Sequence, residues 1–147
     1  MKPLLIAFTF WAALLTQPAF ANDGDIKPSI VKNFEKTFTT ATNVEWTITP
    51  NLYKARFEMN GQVVTAYYST SGRQLGVTRN ITSHQLPLTL QTAMKKEYAN
   101  HWITDLFELT NDEGTTYYVT LENADTKTIM QSQSTHSWSV YQKTEQP

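Results

Sequence analysis

The sequence predicts an α+β fold in which two tandem helix-plus-antiparallel-meander repeats form one sheet with both helices on one face. Two segments have apolar residues at helical spacing, the segments after them alternate apolar and polar residues, and the two halves are offset by about 60 residues. An apolar helix stripe needs an apolar sheet face to cover it. One continuous antiparallel sheet is the simplest arrangement that provides such a face.

The N-terminal residues 1–21 have the three zones of a cleavable signal peptide. Lys2 is the positive zone, Leu4–Leu15 is the apolar zone, and Ala19-Phe20-Ala21 is a small-x-small cleavage motif. A membrane-spanning helix needs about 20 apolar residues, and this run is shorter. We therefore expect cleavage near Ala21, which delivers the mature chain to the bacterial periplasm or secretes it.

The composition of the chain limits its chemistry and its partners. None of its 147 residues is cysteine, which excludes disulfides and thiol catalysis. Small exported domains of eukaryotes are often rich in disulfides, so this absence favours a bacterial source. The formal net charge is −1, and removal of Lys2 leaves the mature chain slightly more acidic. This balance predicts no nucleic-acid binding and, after cleavage, no membrane insertion.

The first predicted repeat covers residues 29–79 and follows a polar, disordered N-terminus over residues 22–28. Its helix begins near Pro28, a residue type that is tolerated at helix starts. The apolar stripe of this helix consists of Ile30, Val31, Phe34 and Phe38. Alternating segments follow, separated by the turn signals Pro50-Asn51, Asn60-Gly61 and Ser71-Gly72. Because Asn-Gly is typical of tight hairpins, these segments are predicted to form an antiparallel meander.

The second predicted repeat covers residues 87–142 and has the same order of elements. Pro87 opens its helix, whose stripe consists of Leu90, Ala93, Met94 and Tyr98. Alternating segments follow, with turn signals at residues 111–114 and 123–125. Residues 143–147 form a polar tail.

The sequence contains none of the common catalytic or metal-binding patterns. His84, His101 and His136 do not have the spacing of zinc ligands, and there is no cysteine to complete a zinc site. The five glycines form no phosphate-binding loop, and no serine lies in a nucleophile elbow. We therefore expect no enzymatic activity, no catalytic or metal-binding residues and no cofactor.

The tyrosines suggest a binding surface on the sheet. Tyr67-Tyr68 and Tyr117-Tyr118 are adjacent pairs, so one member of each must point away from the helices. The residues predicted to share that open face are Glu45, Lys54, Arg56, Tyr67, Tyr118 and Thr120. Tyrosine beside arginine is typical of surfaces that bind proteins or peptides. The alternative is that these tyrosines only stabilise the sheet through cross-strand pairs.

The order of several motifs resembles one family of exported bacterial proteins. These motifs are Phe34, Phe38, Asn43-Val44-Glu45-Trp46, Tyr53-x-Ala55-x-Phe57, Asn60-Gly61 and Ala66-Tyr67-Tyr68 running into Ser71-Gly72. They resemble PepSY-like domains, also called β-lactamase-inhibitor-like, over roughly Ile30 to Ser132. The resemblance implies a module over residues 29–142 without established enzymatic chemistry. It does not imply inhibition, because no inhibitory contact residues are matched.

These observations predict an exported, non-enzymatic module that binds a protein or peptide on an open sheet face. The expected partner is an envelope protein or a peptide. The alternative is a periplasmic small-ligand-binding or envelope-stress protein, with an apolar ligand held between helices and sheet.

Overall fold

The structure, a computed structural model, describes residues 19–20 and 25–147. Most of the predicted signal peptide, residues 1–18 and 21, lies outside the described residues, as do residues 22–24 of the predicted N-terminal segment. Signal cleavage therefore stays a prediction.

The described chain contains two helices and nine strands. The helices are α1 (Pro28–Thr37) and α2 (Leu88–Glu97), each of ten residues, and a 3-10 turn covers Ser83–Gln85. The strands are β1 (Ala19–Phe20), β2 (Thr42–Ile48), β3 (Leu52–Met59), β4 (Gln62–Ser69), β5 (Gln74–Asn80), β6 (Trp102–Asn111), β7 (Gly114–Glu122), β8 (Thr126–Ser132) and β9 (Ser139–Glu145). No helix among the described residues has the length and apolar character needed to cross a membrane.

The fold is mostly β, because eight antiparallel strands of seven to ten residues accompany only two helices. The prediction of an α+β fold built from two tandem helix-plus-meander repeats is wrong. The chain divides into two compact units whose border runs through β4 and β5, so that residues 76–79, assigned to the first repeat, belong to the second unit. The physical reason is backbone pairing: β5 pairs with β6 from Val77–Thr110 to Asn80–Phe107. Alternation of apolar and polar residues identifies strands, but it does not show which other strands they hydrogen-bond with.

Among the described residues, the first unit contains residues 19–20, 25–61 and 65–75. Pro28 stands at the start of α1, where its missing N–H costs no hydrogen bond. The helix buries Ile30 and Phe34, and Phe34 packs edge-on against Trp46 and Phe57. Strands β2 and β3 pair from Glu45–Arg56 to Ile48–Tyr53. The core of this unit therefore lies between α1 and one face of its strands.

The second unit contains residues 62–64 and 76–147. Its longest pairing joins β6 to β7, from Trp102–Glu122 to Asn111–Gly114. Strands β8 and β9 extend the ladder. One core cluster unites residues of α2, of strands β6 to β8 and of the segment between β5 and α2, namely Ile81, Leu86, Met94, Leu106, Val119, Leu121 and Met130.

Candidate functional site

A groove between α1 and β2 is a concave feature of the first unit, with a volume of about 330 Å³. Its lining residues come from the helix, from the turn after the helix and from β2. They are Val31, Phe34, Glu35, Phe38, Thr39, Ala41, Val44 and Trp46. A cavity of this size is at the lower end of the range found for ligand sites.

The turn between α1 and β2 gives the groove its shape. The Phe38 N–H donates to the Phe34 carbonyl at 2.8 Å, and the Ala41 N–H donates to the Phe38 carbonyl at 3.1 Å. Asn43 has a φ of 53°, in the left-handed region that asparagine tolerates better than most residues. The β2–β3 register shifts between Thr42 and Glu45, which marks a local bulge. The chain thus enters β2 directly beside the helix end.

Aromatic rings form one wall of the groove. The Phe34 ring lies 5.3 Å from the rings of both Phe38 and Trp46, measured between centroids, and 5.0 Å from that of Phe57. Trp46 is 5% exposed, whereas Val44 is 37% exposed. Since these rings interlock in tilted and edge-on geometries, the wall is a fixed apolar surface and Val44 lies at its open side.

Glu35 is the charged residue among those that line the groove. It forms no salt bridge with any described residue. An apolar wall with one carboxylate suits a ligand group that is apolar and carries or adjoins a positive charge. No set of three histidine or acidic residues able to hold a metal occurs within the described chain.

The predicted face residues of the first unit lie close together. Glu45 is opposite Arg56 in the register, and their side chains form an ion pair at 3.8 Å. Lys54 is opposite Thr47, and it shares its sheet face with Arg56 because residues two apart in a strand point the same way. Tyr67 is only 5% exposed and packs with Leu52 and Leu75. The exposed part of this face is therefore charged, with an aromatic ring packed in the sheet.

Burial lowers the pKa of Lys54, because desolvation disfavours the charged ammonium group. Lys54 forms no salt bridge with any described residue. The neighbouring cation, Arg56, has Glu45 as its partner at 3.8 Å. The face therefore carries one half-buried positive charge without a carboxylate beside it.

Tyr118 and Thr120, the predicted face residues of the second unit, are each 8% exposed. The Tyr118 ring stacks on Phe107 with centroids 5.1 Å apart and meets Tyr141 edge-on at 5.8 Å. Burial raises the pKa of Tyr118, and Tyr141 adds to this shift. Tyr118 is held within an aromatic stack and Thr120 is buried, and their role in binding stays a prediction.

The histidines are separate from one another. His84 and His136 are exposed, whereas His101 is half-buried and its Nε2 lies 2.9 Å from Asn123 Nδ2. The Tyr98 ring packs edge-on against His101 at 5.4 Å. His101 therefore has structural contacts that hold the end of α2 beside the β7–β8 turn.

Sequence reasoning missed the groove, because Val31, Phe34 and Phe38 were assigned only to the apolar stripe of the helix. Phe34, Phe38 and Trp46 do belong to the core, and the same rings also form the wall. The available signal was the position of Val44 and Trp46 in the first long strand of the chain. A first strand can lie near a sheet edge, where its helix-facing side chains are only partly covered.

Comparison with solved structures shows the fold of the chain. A DUF2874 family protein from Bacteroides uniformis matches with a TM-score of 0.72 and 17% identity, over 82% of this chain and 89% of that chain. A BLIP-like protein from Bacteroides fragilis matches with a TM-score of 0.69 and 19% identity, over 85% and 92% of the two chains.

A further structure, a Bacteroides eggerthii protein provisionally assigned to the periplasm, matches with a TM-score of 0.72 and 15% identity. It covers 86% of this chain and 90% of that chain. No protein-family model and no curated protein matches the sequence. Identities this low establish shared architecture, and the chain therefore has the fold of the BLIP-like and DUF2874 proteins.

Proposed function

We propose that this protein is an exported, non-enzymatic module that binds a protein or peptide of the cell envelope on the charged sheet face of the first unit. The observation that carries the proposal is the group formed by Glu45, Lys54 and Arg56. It places a half-buried cation without a salt-bridge partner among the described residues next to an exposed ion pair. A carboxylate on a partner would stabilise the charged form of Lys54.

The assignment to the envelope is part of this proposal. It is supported by the signal-peptide pattern of residues 1–21 and by the fold shared with a Bacteroides eggerthii protein provisionally assigned to the periplasm. Membership of the PepSY-like family is proposed on the order of the motifs between Ile30 and Ser132. The fold shared with a BLIP-like protein supports this assignment at the level of architecture.

The buried members of the predicted face would not contact a partner directly. Tyr67, Tyr118 and Thr120 are 5–8% exposed, so they would act through the packing of the strands that carry them. The residues that would contact a partner directly are Glu45, Lys54 and Arg56.

The test is cross-linking of the protein to its partner in intact cells, followed by quantitative mass spectrometry. We expect one protein to be recovered in equimolar amount, and to be lost in the double variant Lys54→Gln/Arg56→Gln. The matched control is Lys95→Gln/Lys96→Gln, which removes two exposed lysines from the last turn of α2. Equal recovery from both double variants would contradict the proposal.

A second measurement uses the charge of Lys54 itself. Binding of an acidic partner should raise the pKa of Lys54 towards its ordinary value, which NMR titration of the lysine side chains can follow. An unchanged pKa on binding would show that the partner contacts another surface.

The groove of about 330 Å³ favours a second candidate function, the binding of a small apolar ligand. Native mass spectrometry of protein purified under mild conditions would reveal such a ligand as a constant added mass. Loss of that mass in Val44→Lys would place it in the groove.

A further inference from the structure

We propose a second peptide site, which shares only Glu45 with the charged sheet face. In this proposal the open edge of β2 and the α1–β2 groove bind an extended peptide by strand addition. Alternate apolar side chains of the peptide enter the groove, and a basic residue lies between them.

The first argument is the state of the β2 edge. One side of β2 pairs with β3. On the other side, the described residues provide only Ala19 and Phe20, opposite Ile48 and Thr47. The rest of the strand, Thr42–Trp46, has no partner strand on that side within the described chain. A strand edge with unpaired backbone groups is a template for another extended segment.

The second argument is that part of this edge already holds an extended segment. β1 pairs with β2 in the antiparallel direction, although it is only two residues long. A longer segment in the same register would continue along the edge and lie opposite Trp46, Glu45 and Val44. The edge therefore sets both the direction and the register of an added strand.

The third argument is the orientation of the backbone groups. The Thr49 N–H donates to the Leu52 carbonyl at 2.9 Å and closes the β2–β3 turn. Alternation along an antiparallel strand then directs the groups of Thr47 towards β3 and those of Trp46 towards the open edge. The Trp46 amide is thus placed to bond an added strand.

The fourth argument is the position of the groove beside this edge. Val44 and Trp46 line it from β2, whereas no lining residue belongs to β3. Side chains directly opposite each other in paired strands lie on the same face. Peptide residues opposite Trp46 and Val44 would therefore place their side chains in the groove, against Val31 and Phe38.

The charges select the kind of peptide. The groove is lined by one carboxylate, Glu35, and by no cation. The peptide residue between the two apolar positions would lie opposite Glu45, whose side chain is 65% exposed. Glu45, which pairs with Arg56 at 3.8 Å on the β3 side, favours a lysine or arginine at this peptide position, because opposite charges across paired strands are favourable.

The probe for the test is a labelled peptide, Ac-Thr-Val-Lys-Val-Thr-amide, added to the purified mature protein, residues 22–147, which lacks the β1 residues opposite Ile48 and Thr47. Its valines would lie opposite Trp46 and Val44, and its lysine opposite Glu45. Fluorescence polarisation gives the affinity, and hydrogen exchange followed by NMR gives the protection of individual amides. We expect saturable binding with slowed exchange at the Trp46 amide.

Two changes should weaken this binding in different ways. N-methylation of the peptide amides keeps the side chains but removes the donors, and should weaken binding by about tenfold or more. Val44→Lys places a positive charge at the open side of the groove and should have a similar effect. The matched control is Val140→Lys, which alters a 57% exposed valine in β9 and should leave the affinity within about twofold.

Several outcomes would overturn the proposal. Undiminished binding of the N-methylated peptide excludes strand addition, and it requires no protein variant that could fail to fold. Loss of binding in Lys54→Gln/Arg56→Gln, but not in Val44→Lys, would assign the peptide to the charged face instead. A dimer in sedimentation analysis that Val44→Lys dissociates would assign the edge to a second copy of the chain.

Discussion

Trp138 donates its indole N–H to the carbonyl of Leu90 at 3.0 Å, across 48 residues of sequence. This bond ties the segment before β9 to the buried face of α2. The Trp138 ring also packs against the core cluster of the second unit. The hydroxyl of Thr89 donates to the carbonyl of Thr135, so the same helix is held to this segment at two successive residues.

We expect Trp138→Phe to lower the free energy of unfolding by about 1 kcal/mol, because it keeps an aromatic ring but removes the hydrogen bond. Urea denaturation of the full chain measures this change. The control is Trp102→Phe, which alters a 54% exposed residue in β6 and should change the stability by less than about 0.5 kcal/mol. Equal effects of the two substitutions would show that the bond to Leu90 does not stabilise the fold.

Tyr68 is fully buried, and its hydroxyl has no hydrogen-bond partner among the described residues. A buried polar group without a partner destabilises the folded state, so we expect Tyr68→Phe to raise the free energy of unfolding by about 1 kcal/mol. Tyr53→Phe, at a half-buried tyrosine of β3, is the control and should be close to neutral. A loss of stability in Tyr68→Phe would show that the hydroxyl is bonded in solution.

Burial raises the pKa of Tyr68 from 10.0 to about 12. Between these values the unfolded chain has lost the phenolic proton while the folded chain retains it. The stability of the wild-type protein should therefore fall as the pH rises through this window. Thermal unfolding in alkaline buffers should show a smaller fall for Tyr68→Phe. The fall should not vanish, because burial also raises the pKa of Tyr98, Tyr118 and Tyr141.

Hydrogen bonding from Lys127 lowers the pKa of Glu122, and the bond from Thr104 acts in the same direction. The Lys127 Nζ lies 3.2 Å from Glu122 Oε1. The contribution to stability is present above the ordinary pKa of a glutamate and is lost as the pH falls through the lowered value. Carboxyl NMR titration should show the pKa of Glu122 rising in Lys127→Gln. Lys143→Gln, an exposed change in β9, should leave it unchanged.

The sequence was most informative where local chemistry decides the structure. Asn60 and Gly61 both have positive φ, at 53° and 73°, which is the geometry that an Asn-Gly hairpin turn requires. The stripe of Ile30 and Phe34 likewise marks the buried face of α1. These features depend on residues that are close in the chain, so spacing alone reveals them.

Sequence spacing could not show how much of the predicted face is covered. Alternation assigns Tyr67 to one side of β4, but its burial depends on Leu52 and Leu75 from other strands. Tyr118 is similarly covered by Phe107 and Tyr141. The predicted fold class was wrong for a related reason. The hydrogen bonding between strands decides which residues form each compact unit, and the spacing of the two helical segments does not show this bonding.

The strand order has a consequence for the speed of folding. The order of the strands in the sheet, from β1 to β9, is the same as their order in the sequence. The hairpin pairings therefore close short loops at a small cost in entropy, whereas the β1–β2 and β5–β6 pairings enclose the segments that carry α1 and α2. Folding slows as contacting residues become more distant in sequence, so a ladder of this kind should fold faster than a Greek-key sandwich of similar length.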